Sequence, residues 1–266
     1  MYKFNYHKPY SLNQATEIFQ SSEFPKYLAG GMTLIPSMKQ KLSSPTDLID
    51  LQNISDLKGI KIQDNIINIG AYTTHNEVAE SDIVKNNIPA LSYLANNIAD
   101  NAVRNLGTIG GSICNSDPAA DYPAAVLSLD AIISTNKREI EAKKFFLDMF
   151  ETSLELDEIV TKISFPVVEK SKYIKFSSQA SKYAIVGLFA SYNNNKINLA
   201  VTGASNKVFN IKDYDNLSTK EVLNLKVDEL KINKDEFNND IHATASYRYA
   251  LLKNMIIEVL GSFFNE

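Results

Sequence analysis

Apolar residues in this chain follow two periods, and the switches between them lay out its elements. Leu12, Ala15, Ile18 and Phe19 recur at helical spacing behind Ser11 and Gln14, which predict a capping box. A short strand, Lys26 to Ala29, runs into Gly30-Gly31, and Met32 to Lys41 then reads as a helix with Pro36 tolerated in its first turn. Asp47 to Leu51 reads as a strand. Ile60-Lys61-Ile62 and Ile66 to Ile69 alternate around Asp64-Asn65, which predicts a hairpin. Thr73-Thr74 followed by Glu77 marks a helix start, and Leu91, Leu94 and Ile98 share one face of a helix from Ile88 to Ile98.

Farther along, the polar run Ser116 to Pro123 is expected to turn into a helix from Ala124 to Leu129, followed by strands at Ala131 to Thr135 and Glu158 to Phe165. Pro166 and the charged Glu169-Lys170 mark a boundary. Beyond it, Tyr173 to Ser177, Ala184 to Tyr192 and Ile197 to Val201 read as three antiparallel strands, the last two turned by Asn193-Asn194-Asn195. Lys212 to Asp240 is polar and suits short helices; Ala243 to Phe263 is a closing helix with Ala250, Leu251, Met255, Ile256, Val259 and Leu260 inward. No internal repeat is present.

Composition narrows the function. The 266 residues suit two or three compact units, and a 44% hydrophobic content can fill their cores. A net charge of −4 argues against a general nucleic-acid binder. No apolar run approaches a membrane span, and the first residues lack the apolar centre of a signal peptide. One cysteine, Cys114, excludes intrachain disulfides and iron–sulfur ligation, and suits a reducing cytoplasm. His7, His75 and His242 have no ligand spacing. No metal is expected on this polypeptide.

Five of the ten glycines sit in two short stretches: Leu28-Ala29-Gly30-Gly31-Met32-Thr33-Leu34-Ile35 and Gly107-Thr108-Ile109-Gly110-Gly111-Ser112. Glycine lets backbone N–H groups approach a ligand closely, and Thr33, Thr108 and Ser112 add hydroxyls. Two such clusters suit a nucleotide diphosphate held between them. Neither Gly-x-Gly-x-x-Gly nor a P-loop occurs, so a dinucleotide here would need a different scaffold.

The order Ala29-Gly30-Gly31-x-x-Leu34-x-Pro36, Leu48-Ile49-Asp50-Leu51, Leu57-Lys58-Gly59-Ile60, Arg104 to Ser112, and Asp117-Pro118-Ala119-Ala120-Asp121-x-Pro123 resembles the FAD-binding subunits of molybdenum hydroxylases. That family includes the medium subunit of aerobic carbon monoxide dehydrogenase and the flavin subunits of xanthine and nicotinate dehydrogenases. The resemblance spans nearly the whole chain and is weakest between Asn206 and Asp240.

It implies an α+β protein: a two-part N-terminal FAD-binding α/β domain of the PCMH (vanillyl-alcohol-oxidase) type, then an α+β C-terminal domain with a three-stranded antiparallel sheet. The expected limits are 1–168, with subdomains of about 1–55 and 56–168, and 169–266. It further implies FAD between the loops Leu28 to Ile35 (Leu28, Ala29, Gly30, Gly31, Met32, Thr33, Leu34, Ile35) and Thr108 to Ser112 (Thr108, Ile109, Gly110, Gly111, Ser112).

Three single residues join them by the same resemblance. Asp121 matches an aspartate that hydrogen-bonds the ribityl or ribose region; an aspartate in a first turn otherwise complements the helix dipole. Lys175 matches a lysine that faces the flavin, where a strand lysine is otherwise solvated. Tyr183 matches a tyrosine shielding one face of the isoalloxazine, or else a core aromatic. Lys182 stands where related sequences have aspartate, and Met32-Thr33 departs from their Thr-Asp or His-Ser.

The implied role is an electron relay. A large subunit with a molybdenum cofactor hydroxylates substrate, a small subunit carries two [2Fe–2S] clusters, and FAD here passes electrons to NAD⁺ or another acceptor. A stand-alone FAD-dependent reductase of the same fold, and a non-catalytic accessory protein, are the alternatives.

Overall fold

The computed structural model describes residues 1–211 and 232–264. It opens with a three-stranded parallel sheet in the order β1 (Asn5–His7), β3 (Asp47–Asp50), β2 (Pro25–Leu28). A parallel sheet needs cover on both faces, and β3 is buried along its whole length. Its side chains alternate: Ile49 packs with Ala15 under helix α1 (Leu12–Ser21), and Leu48 packs with Met38 under helix α2 (Leu34–Lys39).

Both helices differ slightly from their sequence prediction. At α1 the Ser11 hydroxyl accepts from the Gln14 amide, but Gln14 Oε1 reaches back to the Tyr10 amide, one residue before the cap. Helix α2 begins at Leu34: Ile35 N–H already donates to Gly31 O at 3.0 Å, but Pro36 has no N–H to give Met32 O, so the ladder is continuous only from the Ser37 to Thr33 bond onward.

The second sheet has five antiparallel strands in the order β4 (Ile60–Gln63), β5 (Ile66–Gly70), β10 (Val160–Pro166), β6 (Ile132–Thr135), β7 (Glu139–Glu141). Asp64 and Asn65 both have positive φ, as a tight hairpin between β4 and β5 requires. Helices α3 (His75–Glu80), α4 (Asp82–Asn87), α5 (Pro89–Asn96), α6 (Asn101–Leu106), α7 (Ile109–Asn115) and α8 (Tyr122–Ser128) follow β5. The predicted capping box at Thr74 is complete, with the Thr74 hydroxyl accepting from the Glu77 amide and Glu77 Oε2 from the Thr74 amide. A short helix, α9 (Ala142–Phe145), and the two-stranded ribbon of β8 (Phe146–Asp148) and β9 (Glu151–Thr152) lie between β7 and β10.

The third sheet runs β11 (Lys170–Ser177), β12 (Ala184–Asn193), β13 (Lys196–Thr202), β14 (Phe209–Ile211), all antiparallel. It therefore has a fourth strand beyond the three predicted. Val186, Leu188 and Ala190 of β12 face the closing helix, Ala245–Phe264, while Phe189 faces the central core. Helix α8 packs on β12 and β13. That contact sets the N-terminus of α8 against β11. Of the polar stretch expected to hold short helices, residues 212–231 lie outside the described residues, and Lys234–Glu236 forms one 3₁₀ turn. Among the described residues, no helix is long and apolar enough to cross a membrane, and no group of three or more His, Cys, Asp or Glu could hold a metal ion.

Candidate functional site

The fold brings the two glycine clusters into backbone contact. A Cβ placed on Gly30 would fall 2.0 Å from the Leu106 carbonyl oxygen and 2.6 Å from Gly107 Cα. Ala29 likewise lies against Gly111, where a Cβ would come within 3.3 Å of the Ala29 Cβ. The clusters, some eighty positions apart, are one unit in space.

Their amides do different work. In the first cluster the N–H groups of Gly30, Gly31, Met32 and Thr33 have no protein acceptor among the described residues, and the Thr33 side chain makes no cap to α2. Four donors in succession without protein acceptors are of the kind that suit an anion. In the second cluster most donors are already engaged, and the Thr108 N–H alone has no acceptor among the described residues. Ile109 N–H donates to Thr73 O (3.1 Å), Gly110 N–H to Ala71 O (2.9 Å), and Gly111 N–H to Thr108 Oγ1 (3.1 Å).

The expectation that Gly110 and Gly111 offer free amides is thus corrected. They open α7 rather than a loop, and their smallness admits Ala71 and Ala29. What the cluster still offers a ligand is the Thr108 N–H and two hydroxyls: Ser112 Oγ has no hydrogen-bond partner among the described residues, and Thr108 Oγ1 keeps its proton. Leu28 packs into the core beside Met38, with Leu34 and Ile35 against them, so these three shape the first cluster from behind.

Helix α7, roughly 10 Å long at 1.5 Å per residue, leads from this pair to a second group. Asp121 is 5% exposed and makes no cap to α8. Its carboxylate accepts instead from the Tyr173 hydroxyl and from Lys175 Nζ at 2.9 Å. Lys175 is buried, not solvated, and also donates to Asn97 O at 3.1 Å. Burial pushes the Asp121 carboxyl upward, opposed by the Lys175 charge. Tyr183 is 43% exposed, in the turn between β11 and β12, where Ser178 N–H donates to Tyr183 O. Burial raises its hydroxyl pKa, and the carboxylates of Asp117 and Asp121 raise it further. Lys182 holds φ +62° in that turn, a conformation asparagine, aspartate and glycine adopt more easily.

The structure also gathers residues that periodicity did not single out. The backbone N–H of His75 donates to Gly107 O at 2.9 Å, and a Cβ on Gly107 would lie 2.6 Å from the His75 ring at Nε2. Arg104 donates to the carbonyls of Ile98 and Ala99, so it ties down the segment before α6 and is spent inside the protein. Cys114 is partly buried against the central core, its thiol pushed up to about 12 by burial and the Glu158 charge.

The family described as "FAD binding domain in molybdopterin dehydrogenase" matches residues 2–168. The chain belongs to this family. FAD is therefore its cofactor, and the protein is a flavoprotein subunit of the oxidoreductase class to which its relatives belong. The glyceraldehyde dehydrogenase medium chain of Sulfolobus acidocaldarius is 33% identical over 85% of this chain and 83% of its own length. The nicotine 6-hydroxylase medium subunit of Paenarthrobacter nicotinovorans is 28% identical over 94% of each. Reconstituted carbon monoxide dehydrogenase from Oligotropha carboxidovorans superposes with a TM-score of 0.87 at 27% identity, covering 97% of this chain and 96% of that one. A family member of this kind must hold a diphosphate, and the unpaired amides of Gly30 to Thr33 fit one.

Proposed function

We propose that this chain is the FAD-carrying medium subunit of a heteromeric molybdenum-dependent hydroxylase. An iron–sulfur small subunit and a molybdenum-cofactor large subunit are its partners, and NAD⁺ or another acceptor takes the electrons. The observation that carries the reading is the run of four unpaired amides on Gly30 to Thr33, pressed against the second glycine cluster. When bound, FAD supplies the two-electron chemistry.

The protein's residues hold and orient it. The amides of Gly30 to Thr33, with the hydroxyls of Thr108 and Ser112, receive the diphosphate. Asp121 and Lys175, held by one another and by Tyr173, meet the sugar-alcohol chain and the ring system. Tyr183 covers one ring face from the β11–β12 turn. The single cysteine suits a reducing cytoplasm.

The test is purification of the full chain with its genomic neighbours. A yellow complex with a flavin band, containing a four-cysteine iron–sulfur protein and a molybdenum subunit, is the expected result. A colourless chain that takes up no added FAD overturns the cofactor assignment, and a yellow chain that purifies alone overturns the partners.

A further inference from the structure

We infer that Thr202, at the end of β13, is a positioning residue that holds Asp121 in place for the flavin; the inference rests on the proposed role of Asp121. The turn from Asp117 to Asp121 has no regular partner strand, yet three of its carbonyls in succession are received by the third sheet. Thr202 Oγ1 lies 2.8 Å from Pro118 O and 2.6 Å from Ala120 O, and its single proton is shared between them. Gly203 N–H donates to Pro118 O at 2.7 Å, and Ala184 N–H to Ala119 O at 3.3 Å. Thr202 is 1% exposed, so water cannot replace its hydroxyl. The peptide that follows is buttressed in turn: Arg248 of the closing helix, 3% exposed, donates to Gly203 O at 2.8 Å and Ile185 O at 2.6 Å, and pairs with Asp240 at 2.6 Å.

The geometry has a direction. The Thr202 hydroxyl grips the carbonyl of Ala120, the residue immediately before Asp121, while Tyr173 and Lys175 of the same sheet grip the Asp121 side chain. Backbone and carboxylate are thus registered to one rigid element. Without the hydroxyl, two buried carbonyls lose their donor or share the Gly203 amide, and the turn must shift to satisfy them. A shift there moves Asp121 first.

The test uses FAD titration of the full-length chain, followed by flavin fluorescence and visible circular dichroism. Thr202→Val, which keeps the side-chain shape, is expected to weaken FAD roughly tenfold and alter the dichroism of the bound flavin, as the loss of one buried hydrogen bond implies. Thr202→Ser restores affinity to within about twofold. In an Asp121→Ala background, Thr202→Val costs nothing further, because the group it positions is gone. Wild-type affinity in Thr202→Val beside a weakened Asp121→Ala overturns the inference, as do fully additive losses in the double variant. Unchanged affinity in Asp121→Ala alone overturns the reading beneath it. The pair Thr202→Ser and Thr202→Ala, which differ only in the hydroxyl, carries the same comparison if Thr202→Val is too unstable to purify.

Discussion

Gly30 rests directly on the Leu106 carbonyl: a Cβ on Gly30 would sit 2.0 Å from that oxygen. No side chain can relax to admit it, because both surfaces are backbone. Gly30→Ala must therefore part the two clusters. The expected outcome is loss of bound FAD together with roughly 1–3 kcal/mol of stability, the range for forcing an extra methyl into a packed site. Flavin absorbance per chain and urea denaturation check it. A Gly30→Ala protein with a full complement of FAD would show that the contact does not shape the site.

The Asp121–Lys175 pair gives a second expectation. Both side chains are nearly excluded from solvent, at 5% and 7% exposure. Removing one partner leaves a buried charge uncompensated, which typically costs 3–5 kcal/mol. Lys175→Met should lower the stability of the FAD-free chain by about that amount. Adding Asp121→Asn removes the stranded charge and keeps a partner for Tyr173, so most of the loss should be recovered. Denaturation midpoints of the single and double variants decide it; a double variant weaker than Lys175→Met rules out charge burial as the cause.

How much of this was legible in the sequence depended on how local the determining interaction is. The unit around Gly30-Gly31, the Asp64-Asn65 hairpin and the closing helix are local patterns, and each lies within a few residues of its predicted limits. Strand β1 has three residues, too few for a period, and owes its existence to pairing with β3 some forty positions away. The burial of Lys175 required Asp121 to arrive from another element, and the spent amide of Gly110 required Ala71. Nothing in a glycine pair states whether its donors face a ligand or the protein's own carbonyls.

Two buried groups make stability depend on pH in neighbouring windows. Burial, aided by the Arg104 charge, lowers His75 from 6.5 to about 4. The unfolded chain then binds a proton that the folded chain refuses, so stability is full above pH 6.5 and falls as pH drops toward 4, by roughly 3 kcal/mol in all. Glu158 is pushed up by burial, but the Arg138 guanidinium, the Glu155 amide and the Thr135 hydroxyl outweigh this and hold it at about 2. Its contribution is present above pH 4.5 and is lost as pH falls toward 2. His75→Gln should flatten the upper slope and Glu158→Gln the lower one in unfolding free energies measured across pH. A His75→Gln protein that keeps the slope between pH 6.5 and 4 places that proton uptake elsewhere.

Cys114 offers a test of how its surroundings hold a thiol protonated. Its thiol is raised to about 12, first by burial and then by the Glu158 carboxylate, and the thiolate is the reactive form. At pH 8 the folded chain should therefore react with iodoacetamide far more slowly than a free cysteine, by on the order of a hundredfold or more. Urea should release the full rate in step with unfolding. The Glu158 charge supplies part of the shift, so Glu158→Gln should speed the reaction in folded protein without changing the rate in urea. Rapid alkylation of the folded chain at pH 8 would show that its surroundings do not hold the Cys114 thiol protonated.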